Sequence, residues 1–226
     1  MDFDLNMKKI IIIGSSGHAK VIIDTINYSG TYKIIGLIDP FRDIGEKTLA
    51  YSILGNNYDL PSLMKKHNVC GLHVAIGDNF TRKKVVNEIR NLIPNVSFYS
   101  IIHPRAVIGS DVKIGDGCFV MAGAIINTSS VLESFCMVNT NASLDHDCFM
   151  GAFSSLAPGV TIGGNTIIGE YTAVGIGAVV KHKMKIGRNV IVGASALVLN
   201  NIPDDVISYG SPSAVIRRRN EEDKYL

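Results

Sequence analysis

The most chemically loaded stretch of the chain is Met137-Val-Asn-Thr-Asn-Ala-Ser-Leu-Asp-His-Asp-Cys148, in which one histidine, His146, stands between two carboxylates. A neutral imidazole titrates near pH ~6.5 and is the side chain best matched to taking a proton at neutral pH. A neighbouring carboxylate fixes its tautomer and steadies the imidazolium that forms. His146 with either of its neighbours, Asp145 or Asp147, therefore reads as a general base and its orienting acid. No serine or cysteine stands out as a nucleophile, which fits direct transfer of a group to an acceptor whose proton His146 removes. The competing reading is an ordinary surface histidine. A second candidate lies near the start, where Gly14-Ser-Ser-Gly-His18 follows a β-branched run. Such a turn presents backbone N–H groups at a helix N-terminus, where a phosphate can sit. The spacing Gly14-x-x-Gly17 lacks the third glycine of a dinucleotide fingerprint, so a plain tight turn competes. Asp39, at the end of the next apolar run, could accept from a ribose or sugar hydroxyl.

These residues must be held by two different kinds of element. From Ile102 to Val198 the chain divides into hexads without an insertion. All seventeen first positions are Ile, Leu, Val or Met, eight second positions are Gly (Gly109, Gly115, Gly151, Gly163, Gly169, Gly175, Gly187 and Gly193), and the fifth positions are mostly small. A period of six is neither helical nor a simple strand alternation; it predicts a coil that turns a corner every six residues, with the aliphatic residue inside. Three hexads would close one coil, so residues 18 apart would stack ~4.8 Å apart in a parallel β-helix. Glycine is expected where a corner needs a positive φ or a close approach. His146 falls at a third position, in a ladder with Thr128, Gly164 and His182.

The first hundred residues read differently. Strands are expected at 9–13, 33–38, 71–76 and 96–100, and helices at 19–26, 60–67 and 80–92, the last capped by Thr81 or Asn79. Strands alternating with helices predict a small Rossmann-like α/β unit with a parallel sheet, whose ligands bind at the carboxyl ends of the strands. The expected organisation is an α/β domain over 1–100, a β-helix over 101–210 and a charged tail over 211–226. An NAD enzyme fits poorly, because β-helix follows where a substrate domain would be needed.

Composition removes other classes. The 226 residues hold 22 Lys plus Arg against 20 Asp plus Glu, a net charge of +2, which leaves no electrostatic footprint for nucleic acid or an anionic membrane. With 46% hydrophobic and 19% charged residues the chain can bury a core. The apolar run at 10–13 is far too short to span a bilayer, so no membrane insertion is expected. Residues 1–6 carry two acids and no apolar segment, unlike a secretory signal, and the four cysteines form no CxxC; a cytoplasmic, reduced setting is expected. Cys118 and Cys136, 18 apart, read as small residues of a core ladder. No metal is expected: His146 and His182 would lie ~10 Å apart by rung spacing, and a third ligand is missing.

Four stretches resemble one family across essentially the whole chain: Ile13-Gly-Ser-Ser-Gly-His-Ala-Lys-Val21, Ala75-Ile-Gly-Asp-Asn-Phe-Thr-Arg-Lys-Lys84, Asn139-Thr-Asn-Ala-Ser-Leu-Asp-His-Asp-Cys148 and Gly210-Ser-Pro-Ser-Ala-Val-Ile216. They look like the PglD- and NeuD-type bacterial sugar acetyltransferases, hexapeptide-repeat enzymes with a left-handed β-helix. The resemblance implies a homotrimer with acetyl-CoA in a groove between adjacent β-helices. It implies His146 as base with Asp147 beside it, Asn139 in the same site, and Gly164 with its N–H toward the thioester oxygen. Acetyl-CoA contacts are implied at Ser155, Gly164, Gly175, Ile176, Lys181, Gly193 and Ala194, and sugar-nucleotide contacts at Ser16, Gly17, His18, Asp39, Pro40, Gly77, Asp78 and Asn79. Two departures stand out: Ser155 replaces a second family histidine associated with acetyl-CoA, and the usual Gly-x-Pro-Ala reads Gly210-Ser-Pro-Ser213. Lys181, Lys183, Lys185 and Arg188 could meet CoA phosphates or form a solvated basic face, and the arginines at 217–219 could reach the 3′-phosphate. The implied activity is acetyl-CoA-dependent N-acetylation of a UDP-, dTDP- or GDP-linked amino-deoxy sugar, in bacterial surface-glycan synthesis. The alternatives are O-acetylation of sialic acid or a related sugar, and a non-catalytic nucleotide-sugar-binding partner.

Overall fold

The structure is a computed structural model that describes residues 7–220 and Asp223; the readings made for residues 1–6 and for 221, 222 and 224–226 lie outside the described residues. The chain forms two compact units, one running to Gly77 and resuming over Thr81–Pro104, the other comprising Asp78–Phe80 and everything from Arg105.

In the first unit, β1 (Lys8–Ile13) carries four consecutive isoleucines, all at most 2% exposed. Such an unbroken apolar run suits a strand covered on both faces. It lies inside a sheet of order β3-β4-β2-β1-β5, where β2 is Tyr32–Ile38, β3 Lys47–Thr48, β4 Tyr51–Gly55 and β5 Gly71–Val74. β1 pairs in parallel with both β2 and β5, so the turns at Gly14, Asp39 and Ala75 leave one edge of the sheet together. Helix α1 (Gly17–Ser29) buries Ala19, Ile22, Ile23 and Ile26, the helical i, i+3, i+4, i+7 stripe, and stops at Gly30 in the left-handed region at φ 62°. Helices α2 (Leu60–His67) and α3 (Asn79–Leu92) follow as the pattern predicts.

Two features differ from expectation. The β3–β4 hairpin turns at Leu49-Ala50, with Leu49 at φ 53°, and carries none of the Asn-Gly or Asp-Gly signals that mark such turns. The segment at 96–100 makes only an isolated bridge, Leu72 to Phe98. Its ladder stops where Nδ1 of His73 takes the carbonyl of Tyr99 at 2.8 Å.

The second unit is a parallel β-helix with three faces and three hexads per coil. The first face runs from Phe119–Val120 through Met137–Val138, Ser155–Leu156 and Ala173–Val174 to Ile191–Val192. The second includes Ile125–Ile126, Ser143–Leu144 and Thr161–Ile162, and the third Val131–Leu132, Phe149–Met150 and Ile167–Ile168. Each ladder partner is 18 residues away, and the first-position residues from Val120 onward form one buried core with the small fifth-position residues. Cys118, Cys136 and Cys148 are buried in it and form no disulfide. Ile108, in the lowest coil, is 37% exposed because no full coil lies beneath it.

The corners decide between the two roles expected of glycine. Positive φ falls at the fourth position of the hexad in every turn from Asp111 to Ser195, at Asp, Ser, Phe, Asn, Tyr and Lys as well as Gly. The second-position glycines instead serve close approach: a Cβ on Gly169 would lie 2.5 Å from the Arg188 nitrogen and 2.6 Å from the Gly187 carbonyl carbon of the next coil. Gly169→Ala is expected to lower unfolding stability by roughly 1–3 kcal/mol, the cost of overpacking against a backbone that cannot retreat. Chemical denaturation with a β-sheet signal checks it.

Part of the charged tail expected over 211–226 is a strand. Val206–Tyr209 adds to the first face, and Ala214–Arg218 folds back antiparallel on it, with Ser208 and Ser213 hydroxyls 2.7 Å apart. The chain can reverse there because Gly210 sits at φ 108°, a region open to glycine.

Candidate active site

The residues singled out from sequence fall into three places. The first is the corner between the second and third faces. Here Asp145–Cys148 link Ser143–Leu144 to Phe149–Met150, and the corner is stapled from the coil below. The Ser130 hydroxyl donates to the Asp145 carbonyl at 2.8 Å and accepts from the Cys148 N–H at 3.1 Å. Asp147 takes the left-handed fourth position at φ 56°. Its Oδ2 lies 2.7 Å from Nδ1 of His146. That contact puts the proton on Nδ1 and leaves the Nε2 lone pair pointing away from the carboxylate. Both side chains are about half exposed, 49% and 54%.

Asp145 plays a different part from Asp147. Its Oδ1 accepts from Nδ2 of Asn127 and from the His146 backbone N–H, each at 2.9 Å. The Asn127 hydrogen bond, with those of the His146 and Gly164 amides, holds its carboxyl below the usual carboxylate range. In turn His146 is raised above its ordinary value, first by the Asp147 hydrogen bond and then by the Asp145 charge. Gly164, one coil on, is buried, and a Cβ there would lie 2.7 Å from Nε2 of His146. Only glycine leaves the imidazole its place. An oxyanion role for Gly164 would draw on an N–H already engaged by Asp145. Lys181 and His182 are exposed farther along this corner.

The second place is a groove of ≈ 310 Å³ on the first face and the corner after it. Ser155, Gly175, Ile176, Gly193 and Ala194 line it, together with Asn139, Ala157 and Pro158. Five of the seven residues implied for acetyl-CoA are therefore gathered here; Gly164 and Lys181 are not, because they belong to the His146 corner. Asn139 is likewise not brought to His146 within one chain, since the whole second face separates their corners. Asn139 Oδ1 accepts from the Thr140 N–H at 2.8 Å, which leaves its amide N–H₂ as the donor end. Glycine and alanine walls make the groove slender and mostly apolar, a shape that fits a pantetheine arm. Ser155, only 3% exposed, offers a hydroxyl where the family has an imidazole.

The third place is the carboxyl edge of the first unit's sheet. Ser16 and Gly17 are exposed at the start of α1, and His18 is partly buried in its first turn. Burial, with the nearby His73 and Arg82, pushes His18 down to about 3, and burial lowers His73 to about 4. Both rings are therefore neutral at physiological pH. Pro40 is exposed, while Asp39, Gly77 and Asp78 are partly buried. Arg82, 1% exposed, donates to the carbonyls of Ile76 and Gly77 at 2.9 and 2.8 Å and so fixes that turn. Asn79, the first residue of α3, is fully buried, and its Nδ2 donates to the Tyr171 and Thr172 carbonyls within the second unit.

Sequence reasoning passed over Ser15, Arg42, Thr48, Arg82 and Asn127. Arg82 stands in Thr-Arg-Lys-Lys, where nothing marks it from its more exposed neighbours. Asn127 alone carried a signal, being 18 residues before Asp145. Of the arginines at 217–219, Arg217 pairs with Asp223 at 2.6 Å, and buried Arg219 donates to the Tyr171 carbonyl and lies over the Phe80 ring at 4.9 Å. Among the described residues no group of three or more His, Cys, Asp or Glu is placed to hold a metal ion.

Comparison with known proteins matches this arrangement. A family model described as the PglD N-terminal domain matches residues 9–89, and one described as the bacterial transferase hexapeptide (six repeats) matches 95–128. The chain is 31% identical over 117 residues to UDP-N-acetylbacillosamine N-acetyltransferase of Bacillus subtilis, a match covering 51% of this chain and 52% of that protein; the chain thus spans about half the length of that curated relative. Among solved structures, the acetyltransferase domain of PglB from Neisseria gonorrhoeae superposes with a TM-score of 0.86 at 31% identity, over 92% of this chain and 100% of that one. PerB from Caulobacter crescentus, solved with CoA and GDP-perosamine, gives 0.84 at 34% identity over 92% and 97%. This chain belongs to the PglD-like family of bacterial hexapeptide-repeat acetyltransferases.

Proposed function

We propose that the chain is an acetyl-CoA-dependent N-acetyltransferase acting on the amino group of a nucleotide-linked amino-deoxy sugar. It works as a cytoplasmic homotrimer in which His146 of one copy faces the groove of the next. The observation that carries the chemistry is the 2.7 Å contact between His146 Nδ1 and Asp147 Oδ2, which leaves Nε2 open beside a glycine. Relatives named for N-acetylation of a UDP-sugar and solved with CoA and GDP-perosamine support the substrate class. The trimer is supported by the separation of base and groove onto neighbouring corners. It is also supported by the outward stripe between them on the second face, where Val107, Ile125 and Val179 are 58%, 39% and 42% exposed and Ser143 and Thr161 stand between the last two. Packing copies around a threefold axis would bury that stripe and close each site. No helix among the described residues is long and apolar enough to cross a membrane.

The residues then divide the work. The turns at Gly14–Gly17, Asp39 and Gly77 hold the nucleotide, and the glycine- and alanine-walled groove holds the pantetheine arm. Nε2 of His146 takes a proton from the amine as its nitrogen forms a bond to the thioester carbon, and Asp147 steadies the imidazolium. When the carbon–sulfur bond breaks, the same imidazolium returns the proton to the departing thiolate, so amide and free thiol leave and the base is regenerated. Because His146 must be neutral to act and its pKa is raised, activity climbs with pH through that raised value. Asp145→Asn removes one of the charges that raise it while leaving the Asp147 contact. The acid limb of the kcat/KM profile is expected to move to lower pH, which a rate profile against the wild type checks.

The direct experiment is thiol release from acetyl-CoA against UDP-, dTDP- and GDP-linked 4-amino sugars, with free and CMP-linked sialic acid beside them. Release with one nucleotide amino sugar is the expected result. Release with sialic acid alone would replace N- by O-acetylation, and nucleotide-sugar binding with no turnover on any acceptor would make the chain a binding partner.

A further inference from the structure

The carboxyl edge of the first unit contains a polar network that nothing above has used. The Ser15 hydroxyl donates to Asp39 Oδ2 at 2.5 Å. Its oxygen accepts in turn from Nη1 of Arg42 at 3.3 Å, so the hydroxyl proton is left for the carboxylate. The same Nη1 donates to the Thr48 hydroxyl at 2.6 Å, and Thr48 donates in turn to the Ser15 carbonyl at 2.8 Å. Arg42 is itself fixed by Glu46 at 2.8 Å and by the Lys47 carbonyl at 3.1 Å. Ser15 and Thr48 are 4% and 3% exposed, so this is a built network and not a surface pair. It ties the turn after β1, the end of β2 and the β3–β4 hairpin to one guanidinium.

Its end point is the Asp39 carboxylate. Of the four acceptor positions a carboxylate offers, Ser15 fills one on Oδ2 and the Phe41 N–H fills one on Oδ1 at 3.0 Å. By count one acceptor position remains on each oxygen, at the carboxyl end of β2. Two adjacent acceptors held at a fixed angle match two adjacent hydroxyl donors, the vicinal 2′,3′-diol of a ribose. A 2′-deoxyribose supplies only one of them.

We propose that Arg42, acting through Ser15 and supported by Thr48, is a positioning residue that aims Asp39 at a ribose diol, so that the chain selects ribonucleotide-linked over 2′-deoxyribonucleotide-linked sugars. The proposal rests on the nucleotide-sugar reading of this unit and narrows its substrate class to UDP- or GDP-type sugars rather than dTDP-type ones. Arg42 needs no contact with the nucleotide for this; its donors are spent inside the network, and lysine, which lacks the fork, can restore only part of it.

The test is calorimetric binding of UDP, GDP, 2′-deoxy-UDP and 2′-deoxy-GDP to the full-length protein. Wild type is expected to bind UDP or GDP roughly tenfold or more tightly than its 2′-deoxy counterpart, the worth of one hydrogen bond to a charged acceptor. In Arg42→Ala and Ser15→Ala the ratio should fall below about threefold, and Arg42→Lys should lie between. A ratio is read so that general loosening, which weakens both ligands alike, does not imitate the effect; Ser15→Ala removes only one oxygen and guards against misfolding of the arginine variant. Equal binding of ribo- and deoxynucleotide by the wild type, or an unchanged ratio in both alanine variants, overturns this inference and leaves the nucleotide-sugar reading standing. Failure of the wild type to bind either UDP or GDP overturns both.

Discussion

His146→Ala is expected to lower kcat by roughly 10³-fold, within the range that a positioned general base contributes, while acetyl-CoA binding and the assembled state persist. The separation follows from where the side chain sits. His146 is about half exposed on a corner whose backbone is held by Ser130, Asp147 and Asn165, none of which uses the imidazole to do so. Its removal leaves the core ladder of Leu144 and Cys148 untouched. The groove lies one face away and loses no wall. His146→Gln, which keeps volume and a hydrogen-bonding end but cannot take up a proton, is expected to be as slow. Steady-state thiol release, with binding of acetyl-CoA measured separately, checks both. A variant that retained near-normal kcat would remove His146 from the chemistry.

The second large effect is expected from the opposite wall. Ala194→Trp fills the groove with an indole without touching the core, because Ala194 is exposed and its Cβ faces the cavity that Ser155, Gly175 and Ile176 also line. Acetyl-CoA affinity should fall roughly 100-fold or more, about 2.8 kcal/mol or greater, since the pantetheine arm and the indole compete for one slender space. UDP and GDP binding should be unaffected, because those ligands are assigned to the first unit. Calorimetric titration of the three ligands separates the two outcomes; unchanged acetyl-CoA binding would place that ligand elsewhere.

Much of this was legible in the residues because the β-helix repeats itself. A hexad pattern that survives from Ile102 to Val198 fixes coil length, stacking partners and the inward side of each strand, since one slip would turn aliphatic residues outward. The corners were less legible. Their left-handed positions are taken by Asp147, Phe153, Tyr171 and Lys183 among others, so residue type does not announce them; the glycines that do stand out answer to the backbone of the next coil. The hairpin at Leu49 was hidden for a related reason, because a leucine occupies the turn. The C-terminal strand was hidden because Arg217 and Arg218 read as charge rather than as an edge strand.

At the site, both acids adjoin His146 in sequence, and the choice of Asp147 over Asp145 came with the family resemblance. The network around Asp39 could not be read, because Ser15, Arg42 and Thr48 meet only after three strands are assembled. The parting of Asn139 from His146, by contrast, lay in plain arithmetic. Seven residues in a six-residue period carry the chain around one more corner, so both cannot face the same opening of a single chain.

That parting makes the shared site the central claim, and co-expression of two inactive chains tests it most directly. His146→Ala lacks the base but keeps its groove; Ala194→Trp lacks the groove but keeps its base. If each site takes His146 from one copy and the groove from its neighbour, one site in three of every mixed trimer is intact, and random assembly from equal amounts should regain about a quarter of wild-type turnover, the chance that an intact base faces an intact groove. Each variant alone should stay inactive, and mass measurement of the purified mixture should show that the two chains have assembled together. Mixed trimers that remain as inactive as their parents would contradict the account, because base and groove would then have to come from the same chain.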